Sequence, residues 1–246
     1  MTRWKITIEY DGTPYVGWQC QASGLSVQGV LESALEKFAG QNLRITAAGR
    51  TDAGVHAWGQ VGHFDLDKVR SADDVRDGLN YYLRPHPIVV LAAEEVAPDF
   101  HARLSAIERR YRYRILNRRP PVGIEANRVW HVPYALDSDA MHEAAQVLVG
   151  THDFTSFRAS ECQAKSPIKT LDAFTVSRLG QEVELTVRAR SFLHHQVRNM
   201  VGTLALVGRG KWSAADVRTA LEAKSRAAGG PTAPPDGLYF LDVRYA

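Results

Sequence analysis

One order of patterns recurs along this chain of 246 residues, and it limits the fold more than any single residue does. Residues 3–10 alternate Trp4, Ile6, Ile8 and Tyr10 on one face, the signature of a half-buried strand. Ser26 then caps a helix with an apolar stripe of Val27, Val30, Leu31, Ala34, Leu35 and Phe38, closed by Gly40. Strands are expected over 42–48 and 59–66, a helix from Ser71 that Pro85 stops, and a strand from Ile88 to Val96. The second half opens with a strand at 110–115 and a helix from Asp137 or Ser138 through Met141, Ala145 and Leu148 to Gly150. Strands follow at 170–178 and 182–190, then helices at about 192–207 and from Ser213 to about Ala223, and a strand from Leu238 to Arg244. Each half thus reads coarsely as strand, helix, two strands, helix, strand, with the last helical stretch of the second half in two pieces. That order predicts an α+β protein of two similar α/β sub-domains, with largely antiparallel sheets and helices on one face. The boundary is expected near residue 105, giving sub-domains 1–105 and 106–246; no residue-level repeat accompanies the coarse one.

A chain that is 45% hydrophobic and 23% charged is that of a soluble globular protein with a sizeable core. No apolar run approaches the ~18 residues that span a bilayer. The opening Met-Thr-Arg-Trp-Lys-Ile lacks the apolar region of a signal peptide, so a cytoplasmic location is expected. Cys20 and Cys162 make no disulfide framework and are expected to be free thiols. Charge is unevenly spread. Residues 1–100 carry 9 Lys/Arg against 13 Asp/Glu, a net of −4, and residues 101–246 carry 21 against 14, a net of +7. This separation points to a polyanionic partner engaged mostly through the second half, or else to a solvated basic face.

Chemistry concentrates in Gly49-Arg-Thr-Asp-Ala-Gly-Val-His-Ala57, at the exit of the short 42–48 strand. Two glycines bracket Arg50, Thr51 and Asp52, and glycine allows positive φ and close approach. A carboxylate held there can be a nucleophile or charge stabiliser, or simply the cap of an Asx turn. The Gly49/Gly54 spacing is not a phosphate-binding loop, since Val55 and His56 stand where Lys and Ser/Thr are required. In Arg110-Tyr-Arg-Tyr-Arg-Ile115 the alternation puts Tyr111, Tyr113 and Ile115 on one face and three arginines on the other. Seven arginines and one acid lie between His101 and Arg119. Aromatic rings flanked by guanidinium groups can stack bases and bind phosphates; alternatively, the tyrosines are core and the arginines solvated. One tyrosine can be core while the other reaches a site. The polar loop 151–169, with Arg158, Lys165 and Lys169, looks mobile and is either a flexible RNA-gripping segment or simply a long surface loop. His194 and His195 are expected to point apart, His194, His195, Arg198 and Asn199 sharing the polar side of the 192–207 helix. No Cys-x-x-Cys is present, and the adjacent His194 and His195 lack the i, i+4 spacing of a helical zinc site, so no metal is expected.

The 49–57 segment resembles the catalytic motif of the TruA family of tRNA pseudouridine synthases, which act in the anticodon arm. Tyr10-Asp-Gly-Thr-Pro-Tyr-Val-Gly-Trp-Gln19 is similar to that family's first motif. Phe100-His-Ala-Arg-Leu-Ser-Ala106 is similar to its F-H-A-R-F-S-A segment, with Leu104 in place of the usual phenylalanine. Arg110–Tyr113 resembles its tyrosine motif, Phe192–Gly202 its helix motif and Pro231-Thr-Ala-Pro-Pro235 its C-terminal loop. All six stand in the family's order.

The resemblance implies the pseudouridine synthase fold with an active-site cleft between the sub-domains, a homodimer, and isomerisation of uridine at positions 38, 39 and 40 of tRNA. It implies Asp52 as nucleophile and Arg198 as the cation that keeps it ionised. Tyr111 would stack on the flipped uracil, with a possible part in moving the C5 proton, and Arg50 would act in base flipping. Phe100, His101, Ala102, Arg103, Arg110, Lys165 and Lys169 are expected to contact the RNA, and neither metal nor other cofactor is called for. His56 and His195 are expected to be structural. The rival readings are an RNA-binding module without turnover and an N-glycosylase or glycoside hydrolase, which generally needs a second acid that these motifs lack.

Overall fold

The computed structural model describes all residues 1–246. Its strands are β1 (Thr2–Tyr10), β2 (Thr46–Ala47), β3 (His56–Leu66), β4 (Ile88–Val96), β5 (Ala106–Asn117), β6 (Trp130–Val132), β7 (Gly150–Asp153), β8 (Ile168–Leu179), β9 (Glu182–Ala189) and β10 (Leu238–Tyr245). Its α-helices are α1 (Val27–Ala39), α2 (Ala72–Leu83), α3 (Ser138–Gln146), α4 (Gln196–Gly208) and α5 (Ala214–Glu222). With mainly antiparallel pairing, this is the α+β class that the order of patterns predicts. No helix is long and apolar enough to cross a membrane.

The expected caps are all present. Ser26 Oγ accepts the Gly29 N–H, and Gly40, at φ 74°, returns its N–H to Glu36. Ser71 and Ser213 complete capping boxes with Asp74 and Asp216, and Asp137 accepts two first-turn N–H groups. Each cap satisfies backbone donors that a helix start otherwise leaves open.

The chain forms two compact units, Met1–Ile107 with Tyr239–Ala246, and Glu108–Leu238. The division falls just past the expected residue 105, and residues 239–246, expected in the second half, belong with the first unit. The reason is pairing: β10 runs parallel to β3 at Tyr239↔His56 and Phe240↔Ala57. In the first unit β1 pairs antiparallel with β3 and β4. Its register, Trp4↔Phe64, Ile6↔Gly62 and Ile8↔Gln60, aligns one buried face. α2 packs on β4 and on α1. The strand expected over 42–48 shrinks to two residues because the Ile45 N–H is taken by Glu32 Oε1 of α1, at 3.0 Å.

In the second unit β5, β9, β8 and β7 are antiparallel neighbours, β6 lies parallel to β5, and α3 packs on β8 and α4. The 151–169 loop is more ordered than expected. β7 pairs with the start of β8, and Phe154 and Phe157 are fully buried anchors around a 3-10 turn, Thr155–Phe157. The 192–207 helix starts late, at Gln196, because His195 takes a left-handed φ of 60° and Gln196 Oε1 accepts the Leu193 N–H at 2.8 Å. That turn also brings the two imidazoles together, ring centroids 4.0 Å apart, where they were expected to diverge.

The other face of the first sheet carries a polar tie. Arg3 makes a two-pronged pair with Asp65 and donates to the Phe100 carbonyl at 2.9 Å. Beside it the buried His63 accepts the Ala102 N–H on Nδ1 at 3.2 Å. Burial, then His101 and Arg3, hold His63 below the usual histidine range, against the pull of Asp65 and a hydrogen bond with the Thr46 backbone. Unfolded, it would titrate near ~6.5, so the unfolded chain binds the extra proton first. Its contribution to stability is complete above ~6.5 and is lost as pH falls from there toward the lower folded value. Asp65, held low by Arg3, has its own window only below the ordinary carboxylate range. The urea midpoint is therefore expected to fall from pH 7 to pH 5.5, and to fall less in His63→Gln. An equal slope in both proteins would show that His63 is not the group responsible.

Candidate functional site

In the first unit Asp52 sits on the connection from β2 to β3, in a turn closed by the Val55 N–H on the Asp52 carbonyl at 3.2 Å. Gly54, φ 76°, supplies the left-handed residue that this turn requires. The preceding residue is fixed from two sides. Tyr10 Oη and Thr51 Oγ1 share a buried hydrogen bond of 2.7 Å, and the Trp18 N–H donates to the Thr51 carbonyl at 3.0 Å. Further along, Gly54 N–H reaches the Tyr15 carbonyl, Gly12 N–H donates to His56 Nδ1 at 3.0 Å, and Gln60 Nε2 donates to the Gly49 carbonyl. The residues 10–18 thus form a cradle around 49–56. Two glycines make it possible: a Cβ on Gly12 would overlap the Val55 carbonyl, and one on Gly17 would lie 2.8 Å from the Thr51 carbonyl oxygen.

Asp52 itself is half-buried, while Arg50 points into solvent from the same loop and Thr51 between them is buried. Burial and the Thr51 bond act oppositely on Tyr10; burial is larger and pushes its hydroxyl up to about 12, so it stays a neutral partner. His56 is buried, with Asp11 Oδ1 3.2 Å from its Nδ1 and its ring stacked on Tyr239.

The Phe100–Arg103 segment divides by role. Ala102 is fully buried and both its backbone groups are taken, the N–H by His63 and the carbonyl by Tyr245 Oη at 2.8 Å. It cannot touch an RNA, contrary to expectation, because it is the residue that seats the turn. Phe100 packs on Ala48, Val61 and Tyr245, and His101 Nδ1 accepts the Arg103 and Leu104 N–H groups at 3.2 Å each. Only Arg103 of the four expected contacts is exposed.

In the second unit, Tyr111 and Tyr113 share a face of β5 as the alternation predicts, with different surroundings. Tyr113 is core: its hydroxyl donates to the Pro234 carbonyl at 2.7 Å, and burial raises its pKa well above 10. Tyr111 retains a little exposure and packs edge-on against Phe192, centroids 5.1 Å apart. The opposite arginines are not all available to phosphates. Arg112 pairs with Glu184, and Arg114 pairs with Glu182 and Glu125; the two pairs with β9 run diagonally, since the register sets Arg112 opposite Thr186 and Arg114 opposite Glu184. Arg198 lies one turn into α4, half-buried, with Nε donating to the Ala233 carbonyl at 2.8 Å. Lys165 is exposed on the 158–167 connection, and Lys169, in β8, turns its ammonium to the Ser166 and Ile168 carbonyls. The cradle residues Tyr10, Gly12, Gly17 and Trp18 have no assigned role in the sequence reading. Their signal was the glycine spacing within the 10–19 segment, which marks close backbone approach.

The family model described as tRNA pseudouridine synthase matches residues 6–104 and 144–246. A tRNA pseudouridine synthase A of Rhodospirillum centenum is 60% identical over 245 residues, 100% of each chain. Those of Paramagnetospirillum magneticum and Parvibaculum lavamentivorans are 59% and 57% identical, covering 100% of this chain and 96% and 100% of theirs.

The cradle makes a direct prediction. Gly12→Ala should destabilise the protein by about 1–3 kcal/mol, the usual cost of forcing a methyl group into filled space. Gly123→Ala, where an added Cβ meets nothing within 4 Å, should leave the denaturant midpoint near that of the native protein. Equal midpoints for the two variants would show that the 10–18 segment yields without cost.

Proposed function

The chain belongs to the tRNA pseudouridine synthase family, and from that premise we propose that it isomerises uridines 38, 39 and 40 in the anticodon stem-loop, with Asp52 as nucleophile. The observation that carries this reading is the cradle: a half-buried carboxylate on a turn whose neighbours are fixed by buried hydrogen bonds. A reacting group held this way needs no reordering when substrate arrives.

The reaction breaks the N1–C1′ bond, turns the base and forms a C5–C1′ bond. C5 gives up a proton and N1 takes one, so composition and oxidation state are unchanged and no cofactor is called for. Attack at C1′, addition to C6 and removal of the 2′ proton each use one ionised carboxylate. A base closing over Asp52 raises its pKa by desolvation, and a neighbouring cation opposes that rise. Arg198 is assigned this part; its guanidinium is already oriented by the Ala233 carbonyl. Tyr111 is assigned to stack on the uracil, with a possible part in handling the C5 proton, its ring steadied by Phe192.

Extruding a base costs a few kcal/mol of lost stacking. The exposed Arg50, two residues before Asp52, is assigned to offset it by filling the vacated space or gripping the phosphate. Arg103, Arg110, Lys165 and Lys169 are assigned to the backbone, where contacts set position rather than sequence preference. Phe100, His101 and Ala102 serve that end by shaping the turn that presents Arg103. A homodimer acting in the cytoplasm completes the reading, on the family resemblance.

Tritium release from C5-labelled uridine in an unmodified tRNA transcript tests it. Asp52→Asn should lose release by at least about a thousandfold, as nucleophile removal does elsewhere, with tRNA affinity kept. Release from the Asn variant at the native rate would remove Asp52 from the chemistry. No release from the native chain would leave an RNA-binding module.

A further inference from the structure

Residues 229–235 follow α5 with little regular structure, and Ala233 within them holds Arg198. The contact is two-way, since the Ala233 N–H also donates to the Arg198 carbonyl at 3.1 Å. A loop without a ladder must have its backbone groups satisfied by other means, or it does not hold one shape. Here side chains do it. The Arg226 guanidinium donates to the carbonyls of Gly229 and Gly230, to Thr232 Oγ1 at 3.2 Å and to Asn199 Oδ1 at 3.2 Å. Thr232 Oγ1 donates to the same Asn199 oxygen at 2.6 Å. The Gly230 N–H donates to Thr203 Oγ1 at 2.9 Å, and Pro234 receives the Tyr113 hydroxyl. Both neighbours of Ala233 are therefore clamped to elements of the same unit.

Asn199 is the hub. It is buried to 1% exposure and follows Arg198 directly on α4. Its oxygen accepts from both Thr232 and Arg226, and its Nδ2 donates to the Phe157 carbonyl at 2.9 Å. Only a neutral amide can do both; a carboxylate there would face the Phe157 carbonyl unpaired and set a negative charge beside Arg198. The close fit has one further condition, met by Gly202: a Cβ at that position would overlap the Pro231 carbonyl.

We propose that Asn199, Arg226 and Thr232 are positioning residues for Arg198: by fixing the Ala233 carbonyl they hold the guanidinium in the one orientation its catalytic part requires. The inference rests on the reading of Arg198 as the counter-ion of the nucleophile. An arginine has many rotamers to lose, so a guanidinium held beforehand has less to lose in the reacting complex. The network thus acts on the chemical step and not on RNA affinity.

Thr232 is exposed apart from its hydroxyl contacts, so a change there opens no core cavity. Thr232→Val keeps the shape and removes the hydroxyl, Thr232→Ser keeps the hydroxyl, and Arg226→Lys keeps the charge and loses the fork. The readouts are the single-turnover rate of tritium release, tRNA affinity and thermal midpoint. Thr232→Val and Arg226→Lys should slow the step about tenfold, with affinity within about twofold, the scale of a modest misplacement of a catalytic group. Thr232→Ser should restore the native rate. A native rate in both altered proteins overturns the proposal, as does lost affinity at an unchanged rate, or a serine variant as slow as the valine one. Asp52→Asn runs alongside: activity retained there sinks the underlying reading, whereas an inactive Asn variant with an unaffected valine variant sinks the positioning role alone.

Discussion

A single backbone hydrogen bond, from the Trp18 N–H to the Thr51 carbonyl, sets the condition on which the Asp52 turn depends. Taken alone it is worth only about 1 kcal/mol net, because the unfolded chain bonds to water instead. Its importance lies in what it forces. The two segments must come so close that Gly17 adopts φ 115° and no Cβ fits between them. At that separation Tyr10 reaches Thr51, and Gly12 reaches His56. Each polar group buried there costs more if left unmade than it gains when made. The set therefore closes together or not at all, and a turn supported in this way has one geometry.

The second unit reaches the same end by other means. Its 229–235 segment uses side chains for the backbone: the Arg226 and Arg198 guanidinium groups and the Tyr113 hydroxyl take up carbonyls, and the Thr203 hydroxyl takes the Gly230 N–H. A charge-assisted donor suits this task, since one arginine reaches four acceptors that no pair of strands could align. In the first unit the constrained irregular backbone carries Asp52 itself; in the second it carries the Ala233 carbonyl that meets Arg198, which stands on α4.

How far the sequence reveals this depends on the range of the interaction. Caps are local, so Ser26, Ser71, Asp137 and Ser213 could be read directly, and each is a cap in the fold. The motifs around Asp52, Tyr111 and Arg198 could be read by resemblance, but their support could not. That β2 stops at two residues depends on Glu32 of α1, thirteen residues before Ile45 in the chain. That α4 begins at Gln196, not 192, depends on a histidine held at positive φ, a conformation periodicity cannot signal. The return of residues 239–246 to the first unit depends on a parallel pairing across most of the chain. Ala102 illustrates the limit most clearly: a motif residue read as an RNA contact is the buried seat of a turn.

The charge asymmetry also changes meaning once the pairing is known. Residues 101–246 carry a surplus of +7, and the arginine-rich start of β5 looked like its seat. Yet Arg112 and Arg114 face Glu184, Glu182 and Glu125, and Arg188 faces Glu108. Such pairs add little stability where solvent reaches them, and with four glutamates set against three arginines they do not draw on the surplus. The excess therefore resides on the other cations of that half, Lys165 among them, and not on Arg112, Arg114 and Arg188. On β5 the alternation of tyrosine and arginine gives two tyrosines on one face different surroundings: Tyr113 is fixed in the core by its hydroxyl, while Tyr111 packs on Phe192 and keeps a little exposure.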